Sequence, residues 1–317
     1  TNIRGKDLVN RVGELTLETV TRAVAGFTGA EYPWKPVEAE ITVPVPPRPP
    51  TLCPGCPHRA LFYALKRAVN RSRIKAIYSG DIGCYSLGVM PPFEMQDALI
   101  EMGGSIGMAN GFAHVDEDKM PVAIIGDSTF FHAGVPGLIN AVYNKSPMLV
   151  VVLDNRVTAM TGHQPHPGTG FYATGEPAPM VKIEDVARGV GVKHVATIDP
   201  FNLKDSEKKL MDAIRYVAEE KKPAVVVARR ACTLLIDAAA RRRGITEPLY
   251  IVDQDKCTGC GICYNAFSCP AIIPLKNGKA EIDPALCTGC GVCAEICPFN
   301  AIRLARKGDP EWEKLWF

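Results

Sequence analysis

Twelve cysteines lie among 317 residues, and their spacing is the first feature that could do chemistry. Cys257, Cys260, Cys263 and Cys269-Pro270 form one group, and Cys287, Cys290, Cys293 and Cys297-Pro298 form another. The CxxCxxC spacing lets three thiolates face three irons of one cubane. Gly259, Gly261, Gly289 and Gly291 keep backbone amides near its sulfides. A zinc ribbon would use paired CxxC knuckles without the third Cys or the Cys-Pro. The repetition argues for metal ligation in a reducing, cytoplasmic setting rather than for six disulfides. Four cysteines remain: Cys53 and Cys56 in "TLCPGCPHRA", Cys84 in "GDIGC" and Cys232 in "VVVARRAC". The early pair is open to three readings: a redox dithiol, half a zinc site, or part of a cluster. Pro54-Gly55 does not open a helix in a thioredoxin-like setting. Cys84 and Cys232 could also be small buried hydrophobes.

A second constellation is "IIGDSTFF" (124–131) followed by "LDNRVTAMTGHQ" (153–164). Asp127 and Asn155 each follow a β-branched run. An acid and an amide at the carboxyl ends of two strands can share one hard cation such as Mg²⁺ with a backbone carbonyl and phosphate oxygens. Gly126 lets the backbone approach a diphosphate. The bland alternative is an ordinary Asp-Ser turn after a strand.

The elements that must position these residues alternate. Short apolar runs at 74–80, 121–128, 148–155, 193–199 and 224–232 read as strands. Segments 57–70, 97–112, 132–144 and 202–221 read as helices. That is the pattern of an α/β fold with a parallel sheet covered on both faces, which binds ligands at the carboxyl ends of its strands. Before it, 5–26 reads as an amphipathic helix, and "PVPPRPP" within 33–50 as an extended linker, so 1–50 is expected to be a connector. From about 247 the sequence repeats with a period of about 30 residues. Asn277-Gly278 marks a hairpin between the two units, which need a cofactor to hold them. The expected organisation is 1–50 connector, 51–245 α/β domain and 246–317 cysteine-rich α+β domain, with "RRRG" (241–244) as a solvated linker. A net charge of +2 points to no nucleic acid, and the longest apolar run, 148–153, is too short to span a membrane.

The tail resembles a bacterial two-cluster ferredoxin. That resemblance implies that each fourth Cys serves the other cluster. One [4Fe–4S] cluster would sit on Cys257, Cys260, Cys263 and Cys297, and the other on Cys269, Cys287, Cys290 and Cys293. The first repeat departs from the pattern, with five residues instead of three before its fourth Cys.

The Asp127/Asn155 pair is similar to the GDG-x(25–30)-N signature of thiamine diphosphate enzymes, with Ser128 in place of the last Gly. The resemblance implies Mg²⁺ on Asp127, Asn155 and the Val157 carbonyl. It also implies a diphosphate against Gly126, Ser128 and Thr129. "TGHQ" from Thr161 is similar to the "TGGQ" of pyruvate:ferredoxin oxidoreductases, with His163 as the departure. His163 and His132 are the candidate catalytic side chains.

A thiamine domain followed by a ferredoxin domain resembles the 2-oxoacid:ferredoxin oxidoreductases. More narrowly, residues 51 to about 305 look like the C-terminal half of the indolepyruvate ferredoxin oxidoreductase alpha subunit. The resemblance implies coenzyme A-dependent oxidative decarboxylation of an aryl 2-oxo acid to acyl-CoA and CO₂, with electrons passed singly through clusters to ferredoxin. It implies a third [4Fe–4S] cluster, on Cys53, Cys56, Cys84 and Cys232. Pyruvate or a branched-chain 2-oxo acid is the alternative substrate, and an electron-transfer subunit without thiamine the alternative class. The carboxylate that activates the aminopyrimidine is expected from a pyrimidine-binding domain or subunit outside this sequence, with a beta subunit as a further partner.

Overall fold

The computed structural model describes residues 3–34, 42–44, 49–115 and 118–316. Most of the proline-rich connector, 35–41 and 45–48, lies outside the described residues. Residues 1–49 and 50–317 form two separate compact units. In the first, helix α1 spans Leu17–Thr28, shorter than the expected 5–26 and shifted towards the C-terminus. Thr16 fixes its start by accepting from the Thr19 amide, and Gly29 (φ 71°) ends it.

The second unit opens with α2, Pro57–Ser72, and strand β1, Ala76–Ser79. Helix α3 is Ser105–Val115 and β2 is Met120–Gly126. A continuous helical run follows: α4 Asp127–Thr129, a π-helical turn Phe130–Gly134, then α5 Val135–Tyr143. Next come β3 Leu149–Asp154, α6 Ile183–Gly189, β4 His194–Ile198, α7 Leu203–Glu220, β5 Ala224–Arg229 and α8 Thr233–Arg243. The sheet is wholly parallel in the order β1-β2-β3-β5-β4.

Alternation along the central strands divides the core. Val122, Ile124, Val151, Leu153 and Val226 pack against α2 and α7, while Ala123, Ile125, Val150, Val152 and Val227 pack against α3, α5 and α6. β3 is buried along its whole length, as a strand covered on both faces must be.

Two sequence expectations change. Residues 97–104 are not helical, because Ala98 bridges Ser79 at the sheet edge and the Asp97 carboxylate accepts from the Tyr78 amide (2.8 Å). Helix α3 starts only where the buried Asp81 carboxylate accepts from the amides of Gly103 (2.8 Å) and Ser105 (3.2 Å). Residues 241–243 are not a linker but the last turn of α8, closed by Gly244 (φ 65°). Their positive charges suit the negative end of the helix dipole.

At the end of β5, Arg229 binds α6 to the sheet. It donates to both Glu184 carboxylate oxygens (3.0 and 2.6 Å) and to Asp154 Oδ2 (2.6 Å). The Arg229 hydrogen bond holds the Glu184 carboxyl down at about 2, from an ordinary 4.5. A depressed carboxyl stabilises the fold above its unfolded value and loses that contribution as pH falls through the folded one. Glu184→Gln is therefore expected to be less stable than the parent at pH 7, with the gap closing between pH 4.5 and 2. Urea unfolding at several pH values checks this.

The remaining elements belong to the cysteine-rich repeat. β6 (Leu249–Val252) pairs antiparallel with β9 (Ile302–Arg306), and β7 (Ile272–Pro274) with β8 (Ala280–Ile282), turning at Gly278 (φ 79°). A π-helical turn, Ile262–Ala266, occupies the first repeat and α9, Val292–Ile296, the equivalent place in the second. After β9 the chain returns to the α/β core. Trp312 and Trp316 are buried, and the Trp316 ring lies 5.1 Å edge-on from Phe201. Among the described residues no helix is long and apolar enough to cross a membrane.

Candidate functional site

The carboxyl edge of the sheet carries a cavity of about 80 Å³. All seven residues expected at the thiamine site line it: Gly126, Asp127, Ser128, Thr129, Asn155, Val157 and Thr161. Asp127 directly follows β2 and Asn155 directly follows β3, its neighbour, so the parallel register sets the two side by side. Both are buried. Asp127 Oδ1 accepts from the Ser128 amide (2.8 Å). Its Oδ2 lies 3.0 Å from His166 Nε2 but makes no hydrogen bond of good geometry. Asn155 Oδ1 accepts weakly from the Val157 amide (3.3 Å). A buried carboxylate oxygen and an amide oxygen, both under-used, form the hard donor set that Mg²⁺ prefers. The residues therefore fit a diphosphate-bound cation.

Gly126 has a reason the sequence does not show. A Cβ there would lie 2.4 Å from the Tyr85 ring. Tyr85 lies against the end of β2, held by its hydroxyl donating to the Ile82 carbonyl (2.9 Å). The π-helical turn immediately after Thr129 is a distortion that recurs near functional sites.

The candidate histidines fall elsewhere. His132, on that π turn, is exposed and is not among the residues lining the cavity. His163 (φ 64°) places Nε2 4.0 Å from the Cys232 sulfur, also outside the lining. Sequence reasoning missed two others. His58 lines the cavity with Nε2 3.3 Å from Asn155 Nδ2, and burial pushes it down to about 4, so it is neutral at pH 7. His166 Nδ1 accepts from the Gly168 amide (3.1 Å), which turns Nε2–H towards Asp127. The only signal for His58 was its place directly after the early cysteine pair.

Cys84 lines the same cavity. Cys56 is the N-cap of α2 and Cys232 the N-cap of α8, while Cys84 opens a 3₁₀ turn. The Arg59 amide donates to the Cys56 carbonyl (3.1 Å) and the Leu235 amide to the Cys232 carbonyl (3.0 Å), which starts each helix at its cysteine. Charge on Cys232 and Cys53 would act on Cys84, and charge on Cys53 on both Cys56 and Cys232, so the four thiols are electrostatic neighbours. Burial raises the Cys53 thiol and pushes Cys56 up to about 12. A reactive dithiol needs the opposite shift; buried thiols of this kind ionise when a metal takes the proton's place.

The tail contains two small cavities. One is lined by Cys257, Cys260, Cys263 and Cys297, the other by Cys269, Cys287, Cys290 and Cys293. Each thus gathers three thiols of one repeat and the fourth of the other. Among the described residues no three His, Cys, Asp or Glu side chains close on a single ion. Thiols spread around a cavity suit a group with several irons. Gly259, Gly261, Gly289 and Gly291 all adopt positive φ (73°, 77°, 68° and 76°), which turns the loops around the cavities. The two extra residues before Cys269 are absorbed by the π-helical turn and by Ser268, which adopts φ 52°.

The early loop reaches the tail. Pro54 and Gly55 line the Cys269 cavity. Gly55 has φ 66°, and a Cβ there would lie 2.0 Å from Thr288 Oγ1. Gly55→Ala is expected to cost about 1–3 kcal/mol. Gly189→Ala, where nothing lies within 4 Å of an added Cβ, serves as the control. Thermal unfolding of the two variants checks the difference.

Comparison with known proteins agrees with this geometry. Residues 81–228 match the thiamine pyrophosphate enzyme C-terminal TPP-binding domain, and 280–303 the 4Fe-4S binding domain. In overall fold the chain is similar to a 2-oxoglutarate:ferredoxin oxidoreductase from Magnetococcus marinus (TM-score 0.50, 24% identity, 58% of this chain and 65% of that one). It is 46% identical to indolepyruvate oxidoreductase subunit IorA of Pyrococcus horikoshii over 97% of this chain and 49% of that protein. To the subunit of the same name from Archaeoglobus fulgidus it is 49% identical over 84% of this chain and 41% of that one. The chain thus spans about half the length of these relatives. The match runs through the diphosphate edge, the early cysteine loop and the cysteine repeat alike, and over these sites the chain is similar to about half of the subunits named indolepyruvate oxidoreductase subunit IorA.

Proposed function

We propose that this chain is the thiamine- and cluster-binding part of an enzyme that oxidatively decarboxylates an aryl 2-oxo acid of the indolepyruvate type. Coenzyme A would receive the acyl group, and ferredoxin the electrons. The observation that carries the reading is the succession of sites in one compact unit. Cys84 belongs to the wall of the Asp127 cavity, its thiol neighbours Cys53 and Cys56 flank Gly55, and Gly55 lines the Cys269 cavity.

Thiamine diphosphate, when bound, supplies the electron sink for loss of CO₂, and clusters accept electrons one at a time. The chain's own residues prepare for this. Asp127, Asn155 and the Val157 carbonyl would hold Mg²⁺, with Gly126, Ser128, Thr129 and Thr161 around the diphosphate. Neutral His58 orients the Asn155 amide and adds no charge beside the cation. Met102 and Met160 on the cavity wall offer the adaptable apolar surface that an aryl side chain needs. Three [4Fe–4S] clusters would sit on Cys53/Cys56/Cys84/Cys232, on Cys269/Cys287/Cys290/Cys293 and on Cys257/Cys260/Cys263/Cys297. A pyrimidine-binding domain or subunit would bring the activating carboxylate, and a beta subunit would complete the assembly in the reducing cytoplasm.

The test is CoA-dependent CO₂ release by the complete enzyme containing this chain, with indolepyruvate, phenylpyruvate, pyruvate, a branched-chain 2-oxo acid and 2-oxoglutarate in parallel. The reading expects the highest kcat/KM for the aryl acids. A preference for pyruvate, a branched-chain acid or 2-oxoglutarate would overturn the substrate assignment.

A further inference from the structure

Arg59 is 1% exposed, and its guanidinium lies between two of the cysteine groups. One arm donates to the Leu52 carbonyl and to Thr51 Oγ1 (3.4 Å). The other donates to the carbonyls of Phe267 (3.2 Å) and Ser268. Leu52 immediately precedes Cys53, and Ser268 immediately precedes Cys269. The carbonyls it grips in the tail belong to the stretch that makes the first repeat longer than the second. The unusual Cys263–Cys269 spacing therefore provides the surface on which this cation sits.

Among the described residues no carboxylate pairs with Arg59. The other buried arginine nearby, Arg230, is bound by Asp199 (2.7 Å) and Glu313 (3.3 Å). A guanidinium stays charged inside a protein, and burying it without a counter-charge is strongly unfavourable. The groups close enough to feel its charge include Cys53 and Cys56 on one side and Cys269 and Cys290 on the other. Carbonyl oxygens satisfy its hydrogen bonds but not its charge. Thiolate-bound clusters, which carry net negative charge and gain more on reduction, would satisfy both.

We propose that Arg59 is the shared counter-cation of two neighbouring iron–sulfur clusters, the one on Cys53/Cys56/Cys84/Cys232 and the one on Cys269/Cys287/Cys290/Cys293. It favours their reduced forms and fixes their ligand loops against each other. Cluster potential responds to nearby charge and burial. A cation held in a low-dielectric gap acts on both neighbours, and no thiol of the Cys257 group is among those that feel its charge most. The inference rests on the three-cluster reading above.

The test is an anaerobic redox titration of the cluster-loaded chain followed by electron paramagnetic resonance, with iron counted on the same samples. Signals are assigned by their loss in Cys56→Ser. In Arg59→Met the two neighbouring clusters are expected to titrate at more negative potentials, while the Cys257 cluster stays where it was. Arg59→Lys, which keeps the charge but loses the fork, is expected to lie closer to the parent than Arg59→Met for both. If Arg59→Met fails to hold the early cluster, the Cys269 cluster, with all four thiols in the tail, still reports the shift. Unmoved potentials in a fully loaded Arg59→Met chain, an equal shift of all three clusters, or a Lys variant that moves as far as Met would each overturn the role of Arg59. A parent chain that loads only about eight irons would instead overturn the three-cluster reading.

Discussion

Asp127→Ala is expected to lose thiamine diphosphate while keeping its iron. Among the described residues Asp127 is the one carboxylate lining the cavity, and its Oδ2 lacks a well-formed hydrogen bond. Removing a group that supports a bound metal commonly costs 10–100-fold in metal affinity, and a direct carboxylate ligand at least as much. Thiamine retention after desalting should therefore fall by about 100-fold or more. The tail cavities contain no atom of Asp127, and Asp127 supplies none of the twelve thiols, so iron content should stay at about twelve per chain. Equilibrium dialysis with thiamine diphosphate and Mg²⁺, alongside iron analysis, checks both halves. Thiamine binding that survived the substitution would remove the Mg²⁺ assignment.

Cys56→Ser carries the second large effect. Cys56 is the buried N-cap residue of α2, and its carbonyl accepts from the Arg59 amide (3.1 Å). A serine oxygen is a poor substitute for a thiolate at a soft iron site. About four irons per chain should be lost and about eight retained. The tail clusters should keep their spectra, since their eight thiols line separate cavities. Electron delivery to ferredoxin by the complete enzyme should drop by about 100-fold or more, because the step between the thiamine cavity and the tail would lack its acceptor. Iron content that stayed at the parent value would show that the early pair does not hold a cluster.

Much of this was legible because the chemistry demands fixed spacings. The tail cysteines are placed by local loops, and the cavities group them as the spacing of a two-cluster ferredoxin implies. Asp127 and Asn155 follow strands whose apolar runs are unmistakable, and a parallel sheet sets neighbouring strand ends together. What stayed hidden depends on pairs of residues far apart in sequence. His58 meets Asn155 across 97 positions, and Arg59 meets Ser268 across 209. No local pattern encodes either contact. Helix α8 was hidden by its composition, since a run of three arginines reads as a solvated linker until Gly244 is seen to close a helix. The buried Trp312 and Trp316 lie in a tail with no periodicity, and only tertiary packing against Phe201 explains them. The non-helical stretch 97–104 belongs here too, because Asp81 decides the start of α3 from 24 residues upstream of Ser105.

We propose that one chain joins a thiamine site to three clusters. The most direct test is cofactor analysis of the protein purified without oxygen and supplied with thiamine diphosphate and Mg²⁺. About twelve irons and about one thiamine diphosphate per chain are expected. About eight irons with no thiamine would contradict the proposal and leave a two-cluster electron carrier on an idle α/β fold.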